Sequence, residues 1–349
     1  MKGKAFISYK NIETGYLYFF VHFVTEVCCF YALKQVFGNS FVNWIIPLIY
    51  DFLAFVTQEP IGAFCDRHRS FKPGILGAVI LAVGLLMIPL FQPIFIPITF
   101  IAIGNAFIHV SGAEKTLRTS CGKISHSAIF VAGGSFGIIF GKILGDMNVP
   151  SYAMAMAILA TIPFMMCADC YKDETGDKDF SFANEKVSKA WVIVLAVLIV
   201  AVRGYMGYGI PTSWNKTMGQ TILLYVMMGT GKALGGILTD AIGIRKTAVI
   251  SIVGAVPFLV FGDRYMVISL IGVMMFSMTM AVTLALLASV TGGEFGVAFG
   301  LTTVGLFAGS LPVFFVTVSD FTVNVIIILV SSVLCLVPAL LICKPGERK

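Results

Sequence analysis

The sequence predicts an all-α polytopic membrane protein, with twelve transmembrane helices arranged as two six-helix bundles. Three observations predict it. The 349 residues are 58% hydrophobic and 12% charged, with a mean hydropathy of +0.93, whereas a soluble domain carries about 25% charged residues. The apolar residues fall in twelve runs near the length a bilayer core requires, about 20 residues each. The basic residues lie almost entirely on one side of those runs, as the positive-inside rule demands. In water this composition would expose large apolar patches; lipid is the solvent that suits it.

The runs are 15–36, 43–65, 73–91, 94–113, 126–147, 150–168, 190–210, 218–241, 247–262, 265–290, 295–318 and 321–343. Residues 1–14 are polar, and the run that follows is longer than a signal-peptide core and contains His22 and Glu26. It is therefore expected to insert as the first span and not to be cleaved. The one sizeable hydrophilic stretch, Tyr171–Lys189, separates the sixth run from the seventh. It divides the chain into an amino-terminal bundle (1–170), a linker (171–189) and a carboxy-terminal bundle (190–349). With the amino terminus inside, eighteen of the 24 lysines and arginines are inner, among them Lys2, Lys4, Lys10, Arg67, Lys72, Arg118, Lys178, Arg348 and Lys349. Lys34, Lys216 and Arg264 are outer, and Lys142, Arg203 and Lys232 fall within spans. The net charge of +6 is thus a topology signal, and no nucleic-acid partner is expected. Both termini are expected on the cytoplasmic side of a bacterial plasma membrane.

Cys28, Cys29 and Cys335 lie within spans, and the other five cysteines lie near the inner side, where thiols stay reduced. Cys167-Ala-Asp-Cys170 has the spacing of a metal or redox pair, and equally of two reduced thiols at a helix end.

A motif recurs in the two halves. Gly62-Ala-Phe-Cys-Asp66-Arg67-His68-Arg69-Ser-Phe-Lys72 follows the second span, and Gly236-Ile-Leu-Thr-Asp240-Ala-Ile-Gly243-Ile-Arg245-Lys246 follows the eighth. Glycine, aspartate and the final lysine align 174 residues apart. The repeat resembles the signature loop of the major facilitator superfamily, roughly Gly-x-x-x-Asp-Arg-x-Gly-Arg-Lys/Arg, and the likeness in span number and central loop covers the whole chain. The first copy departs from it at Arg69 and Phe71, the second at Ala241. The resemblance implies the major facilitator fold and a secondary transporter. It also implies a latch between the halves in the outward-facing state, made by Gly62, Asp66, Arg67, Gly236, Asp240, Arg245 and Lys246, with Glu114 and Arg118 as partners. The physical logic is that glycine admits a neighbouring helix closely and a carboxylate at the membrane edge can cap a facing helix N-terminus.

The fifth span carries Gly133, Gly137, Gly141 and Gly145, and the eleventh Gly296, Gly300, Gly305 and Gly309. Such stripes serve close packing; glycine-rich fifth helices also occur in exporters of the family. Gly104-Asn-Ala-Phe-Ile-His109-Val-Ser-Gly112 and Phe130-Val-Ala-Gly-Gly134-Ser-Phe-Gly137 resemble the fosmidomycin-resistance-type exporter branch.

Charged groups at membrane depth mark cavities or partners. His22 and Glu26 are four residues apart and share a helix face. In the major facilitator fold, spans one, four, seven and ten line the cavity. The resemblance therefore implies Thr25, Asn105, His109, Arg203, Ser277, Thr279 and Thr283 as substrate-cavity residues. A carboxylate withdrawn from water beside a histidine can exchange a proton in the physiological range. Glu26, His22 and Asp51 are therefore candidates for proton coupling; a static pairing of Glu26 or Asp51 with Arg203 is the alternative. Lys142 and Lys232 would favour an anionic substrate if they meet, or they reach the outer surface and another partner separately. The four histidines, His22, His68, His109 and His126, are scattered, which argues against a catalytic cluster. No phosphate-binding Gly-x-x-x-x-Gly-Lys-Ser/Thr loop occurs. The expectation is a monomeric, proton-coupled exporter of a small organic or amphipathic compound, without cofactor, metal or catalytic residues. A symporter for a small anionic metabolite is the alternative; a non-transporting sensor or lipid-modifying enzyme is the alternative of another class.

Overall fold

The computed structural model describes residues 11–37, 45–91, 94–176, 179–209, 214, 217–316, 318 and 320–345. The basic residues Lys2, Lys4, Lys10, Lys178, Lys216, Arg348 and Lys349 lie outside them. The helices are α1 (Glu13–Phe37), α2 (Ile45–Asp51), α3 (Gln58–Arg67), α4 (Pro73–Met87), α5 (Phe95–Arg118), α6 (Ser125–Asp146), α7 (Ser151–Leu159) and α8 (Ile162–Asp169). They continue as α9 (Lys189–Gly209), α10 (Met218–Ile242), α11 (Ile244–Phe261), α12 (Met266–Ser277), α13 (Thr279–Val290), α14 (Phe295–Ser310) and α15 (Phe321–Ile342). Three interruptions join neighbouring pieces: a π-helical turn Phe52–Val56 between α2 and α3, a bend between α7 and α8, and another between α12 and α13. Pro163 explains the second, because it cannot donate to the carbonyl four residues back.

Counted as rods, the described elements number twelve, and ten are helices long and apolar enough to cross a membrane. The other two are the interrupted rod 45–67 and the fifteen-residue α4. Capping fixes several ends: Pro73 opens α4, Thr217 and Gln220 form a capping box on α10, and Asp320 accepts from Val323 N at the start of α15. The outer surface is apolar. Leu329, Val330, Val333, Leu334, Val337 and Leu341 of α15 are all exposed, as a lipid-facing helix requires. The chain is a multi-pass membrane protein of the expected all-α class.

Glycines set the closest packing. A Cβ on Gly133, Gly137 or Gly141 of α6 would strike the backbone carbonyl of Phe19, Phe23 or Val27, so α1 lies directly against α6. On α14, Gly296 and Gly300 meet Gly62 and Glu59 of α3, whereas Gly305 and Gly309 meet Val197 and Ala201 of α9. The two stripes are therefore packing faces, but not equivalent ones: that of α6 seats one helix and that of α14 seats two.

One end of the bundle carries Arg67, Lys72, Arg118, Lys123 and Arg245, and we call it the basic end. There the repeated aspartates make reciprocal contacts. Asp66 Oδ2, at the end of α3, accepts from Val297 N in the first turn of α14 at 3.0 Å. Asp240, near the end of α10, accepts from Ile124 N and Ser125 N at the start of α6, both at 3.0 Å. Each carboxylate thus satisfies N–H groups at a helix start where they have no partner within the helix. Arg118 Nη2 donates to Asp66 Oδ1 at 2.8 Å, its Nε donates to Glu114 at 2.8 Å, and its guanidinium lies 5.3 Å from the Phe295 ring centre. The guanidinium on Asp66 is that of Arg118; Arg67, about 100° further round the last turn of α3, is exposed. Arg245 and Lys246 begin α11 beside a surface cavity that Asp240 also lines.

The two copies of the motif turn differently. Gly243 has φ +91° and passes α10 into α11 through a single residue. The first copy has Arg69 at that place and needs residues 68–72 to reach α4. The hydrophilic segment is a strap, not a loose tether. Glu174 N and Thr175 N donate to Arg118 O, Phe180 is buried against Phe295, and Asn184 N donates to Ile342 O.

Cys65 is buried beside Asp66 (2% exposed) and reports on this closure. Removing the Asp240 carboxylate by Asp240→Ala forfeits two charge-assisted bonds worth roughly 1.5–3 kcal/mol each. Labelling of Cys65 by a maleimide, followed by peptide mass mapping, is expected to accelerate about tenfold or more. An unchanged rate would show that Asp240 does not hold the end closed.

Candidate functional site

A cavity of about 660 Å³ lies between the rods. Its wall runs from His22, Glu26, Asn105 and His109 in mid-bundle to Lys34, Asp146, Met218 and Thr221 at the end opposite the aspartate caps. Phe299 of α14 closes the bottom, its ring 6.0 Å from that of Phe130 and 6.4 Å from that of His109.

The polar centre is built by α1 and α5. One helical turn places His22 and Glu26 on one face, and another places Asn105 and His109 on the facing one. Glu26 Oε1 lies 3.4 Å from His109 Nε2, 3.7 Å from His22 Nε2 and 3.3 Å from Asn105 Nδ2. The imidazoles meet edge to face, with centres 4.3 Å apart. Backbone carbonyls orient both rings: His22 Nδ1 is 3.0 Å from Phe130 O, and His109 Nδ1 is 3.0 Å from Asn105 O. A carbonyl only accepts, so each Nδ1 carries a proton, and in the neutral ring each Nε2 presents a lone pair. Asn105 Nδ2 also reaches Tyr50 OH at 2.6 Å, while its buried Oδ1 has no hydrogen-bond partner. Gly134 makes room for this arrangement, since a Cβ there would strike His22 at Nε2. Among the described residues, His22, Glu26 and His109 are the one group of three metal-ligand-type side chains whose ligand atoms lie within 4.8 Å of one another.

Basic side chains line the cavity as well. Lys232 Nζ donates to Ser135 Oγ at 2.8 Å, and Lys142 Nζ donates to Tyr225 OH at 3.3 Å between the rings of Phe30 and Tyr225. Arg203 lines the same cavity, as does Asp51 at the end of α2. Lys142 and Lys232 are thus both cavity residues. At the mouth Lys34 pairs with Asp146 at 3.0 Å.

Of the expected cavity residues, Asn105, His109 and Arg203 line it, and Thr25, Ser277, Thr279 and Thr283 do not. Thr25 donates to Val21 O in its own helix, Thr279 to Phe276 O, and Thr283 to Thr279 O. Ser277 packs against Gly231 of α10. The rod of α12 and α13 leans on α10 along that glycine face and offers Met280 to the cavity instead. The histidines scattered in sequence are not all scattered in space, since His22 and His109 meet. Tyr50, Phe299, Thr302 and Thr303 are lining residues that sequence reasoning missed. The one signal for them was their position near the glycines of α14 and the aspartate of α2. Thr303 Oγ1 donates to Phe55 O at 2.9 Å, in the π-helical turn that interrupts the helical ladder of its rod. Cys167, in the last turn of α8, and Cys170, just past its end, are free, exposed thiols.

Neither a protein-family model nor a curated protein sequence matches the chain. Solved structures do. The chain is similar to the Escherichia coli fucose:proton symporter FucP, with a TM-score of 0.66 and 13% identity, over 94% of this chain and 97% of that one. It is similar to FucP in the outward conformation, described as a Major Facilitator Superfamily transporter, with a TM-score of 0.63 and 14% identity over 93% and 97% of the two chains. It is also similar to a bacterial homologue of the iron transporter ferroportin in the outward-facing state, at 0.62 and 12% over 95% and 98%. The fold is therefore the major facilitator fold.

Thr303 ties the cavity wall on α14 to the Phe55 carbonyl in the π turn. Thr303→Val is expected to lower stability by about 1 kcal/mol, seen as a lower melting midpoint in detergent. Lys34→Ala, which breaks an exposed pair worth roughly 0–1 kcal/mol, is expected to leave it nearly unchanged.

Proposed function

We propose that the protein is a secondary active transporter that works by alternating access, and that it couples export of a small organic or amphipathic compound to protons. The observation that carries this reading is a mid-bundle cavity with an ionisable centre, reached from one end and sealed at the other by two equivalent aspartate caps. Alternating access requires a central site and a gate that can be made and broken at each end. In this reading all twelve rods span the membrane. Residues 1–170 and 190–349 rock against each other, and 171–189 is the inner strap. The basic end is cytoplasmic, with both termini on that side of a bacterial plasma membrane, and the protein acts as a monomer. The conformation with the caps made is outward-facing.

Glu26 is the leading proton carrier, with His22 beside it and Asp51 second. Asn105, His109 and Arg203 form the substrate surface. Gly62, Asp66, Gly236 and Asp240 form the latch, with Arg118 taking the part of the guanidinium on Asp66. Arg67, Arg245 and Lys246 flank it. A second reading, uptake of a small anionic metabolite with protons, is favoured by one specific feature: Lys142, Arg203 and Lys232 all line the cavity, and three cations suit an acidic substrate group.

Proteoliposomes with a pH dye inside separate the two. Adding a transported compound outside alkalinises the lumen if the protein exchanges it for protons, and acidifies it if the two move together. Glu26→Gln is expected to abolish compound-dependent proton movement while the protein remains monodisperse. Transport without proton movement in the wild type, or full coupling in Glu26→Gln, refutes the mechanism.

A further inference from the structure

We infer that His22, Glu26 and His109 form a binding site for a divalent transition-metal ion of the zinc and cobalt class. The inference adds a ligand to the cavity of the transport reading, and rests on that reading only for a path to the site.

The first argument is geometric. An ion held at about 2.0–2.1 Å by three ligands at tetrahedral angles sets them about 3.4 Å apart. His109 Nε2 and Glu26 Oε1 are 3.4 Å apart, and His22 Nε2 and Glu26 Oε1 are 3.7 Å apart. All three ligand atoms fall within 4.8 Å of one another. Drawing the two imidazole nitrogens together about Glu26 Oε1, within the 4.8 Å that now bounds the group, completes three corners of a tetrahedron. Water or a substrate oxygen in the open cavity supplies the fourth.

The second argument is the support around the ligands. A metal-bound histidine nearly always gives its other ring N–H to a carbonyl or carboxylate, which fixes the tautomer and aims the lone pair. Both histidines do so here, through Phe130 O and Asn105 O at 3.0 Å. With both rings neutral, two lone pairs and a carboxylate oxygen face one another, and among the described residues the side-chain hydrogen bond to that carboxylate comes from Asn105 Nδ2. Three acceptors in that disposition leave a place for a cation. Asn105, itself 2% exposed, adds a buried Oδ1 without a hydrogen-bond partner beside the same carboxylate.

The donor set decides the class of ion. Two imidazoles and one carboxylate suit zinc, cobalt, nickel or ferrous iron, whereas magnesium and calcium take oxygen ligands. Lys232 and Arg203 line the same cavity and carry positive charge. They weaken the site, which suits an ion that has to leave again, and they offer a counter-charge to an anion bound with it. A metal ion on these atoms displaces whatever proton the site otherwise holds.

The test is equilibrium binding to the full-length protein in detergent, with Cys121, Cys167 and Cys170 replaced by serine to remove exposed thiols. Cobalt chloride is titrated and followed by its visible ligand-field bands, and zinc chloride by calorimetry. The expected result is one ion per chain, with the intense bands of tetrahedral cobalt. His109→Gln and Glu26→Gln each weaken binding at least tenfold, at unchanged size-exclusion profile, and Gly134→Ala does so by crowding His22 Nε2. Magnesium does not compete. Absence of binding, or binding indifferent to all three substitutions, overturns the inference. Since no transport is measured, metal binding without coupled flux in the proteoliposomes would refute the transport mechanism and leave the site standing; coupled flux without metal binding would do the reverse.

Discussion

Two carboxylates hold the rest of the structure in place. Asp66 and Asp240 each cross from the end of one helix to the bare N–H groups at the start of a neighbouring helix that belongs to the other half of the chain. Bonds of this kind join a full charge to a helix dipole in a setting where water is scarce, so they are strong, yet they involve only one side chain per contact. They can therefore be made or broken without repacking a core. Arg118, Phe295 and the buried Phe180 of the strap gather on one of them. The basic end is closed by these few contacts, and the cavity has its mouth at the other end.

The helices that receive the caps are the ones that shape the cavity. α6 begins at the Asp240 cap, seats α1 along its glycines, and by that seating positions His22 and Glu26. α14 begins at the Asp66 cap, packs Gly296 and Gly300 on α3, and brings Phe299 and Thr303 to the cavity. A change at a cap therefore reaches the polar centre through a single rigid helix with no intervening loop. Small residues allow this, since backbone against backbone leaves little slack for a helix to move alone.

Much of this was legible in the sequence, for reasons that differ by feature. The helices were legible because lipid forces long apolar runs, and the ends because basic residues collect on one side. The caps were legible because Gly62/Asp66 and Gly236/Asp240 repeat in register. Rotation about helix axes was not. Thr25 and the hydroxyls of α12 and α13 belong to rods expected to line the cavity, but their faces are turned to neighbouring helices. A serine or threonine can satisfy itself on its own helix, so its presence in a span says little about a cavity. Charged groups are less free. Lys142, Arg203 and Lys232 all reach the cavity because burial in lipid without a partner costs too much. The meeting of His22 with His109 joins positions 87 residues apart and had no local signal. The substitution of Arg118 for Arg67 on Asp66 likewise depends on which side of one helical turn faces inward.

In the proposed cycle the two ends of the bundle open in alternation, under control of the aspartate caps. Spin-label distances test it most directly. One pair, Lys34→Cys with Met218→Cys, spans the cavity mouth; another, Arg67→Cys with Arg245→Cys, spans the basic end, both with the exposed native cysteines replaced by serine. With both caps removed by Asp66→Ala and Asp240→Ala, the mouth pair is expected to move closer while the basic-end pair moves apart. Distances that stay fixed at both ends, or that lengthen at both together, would contradict it.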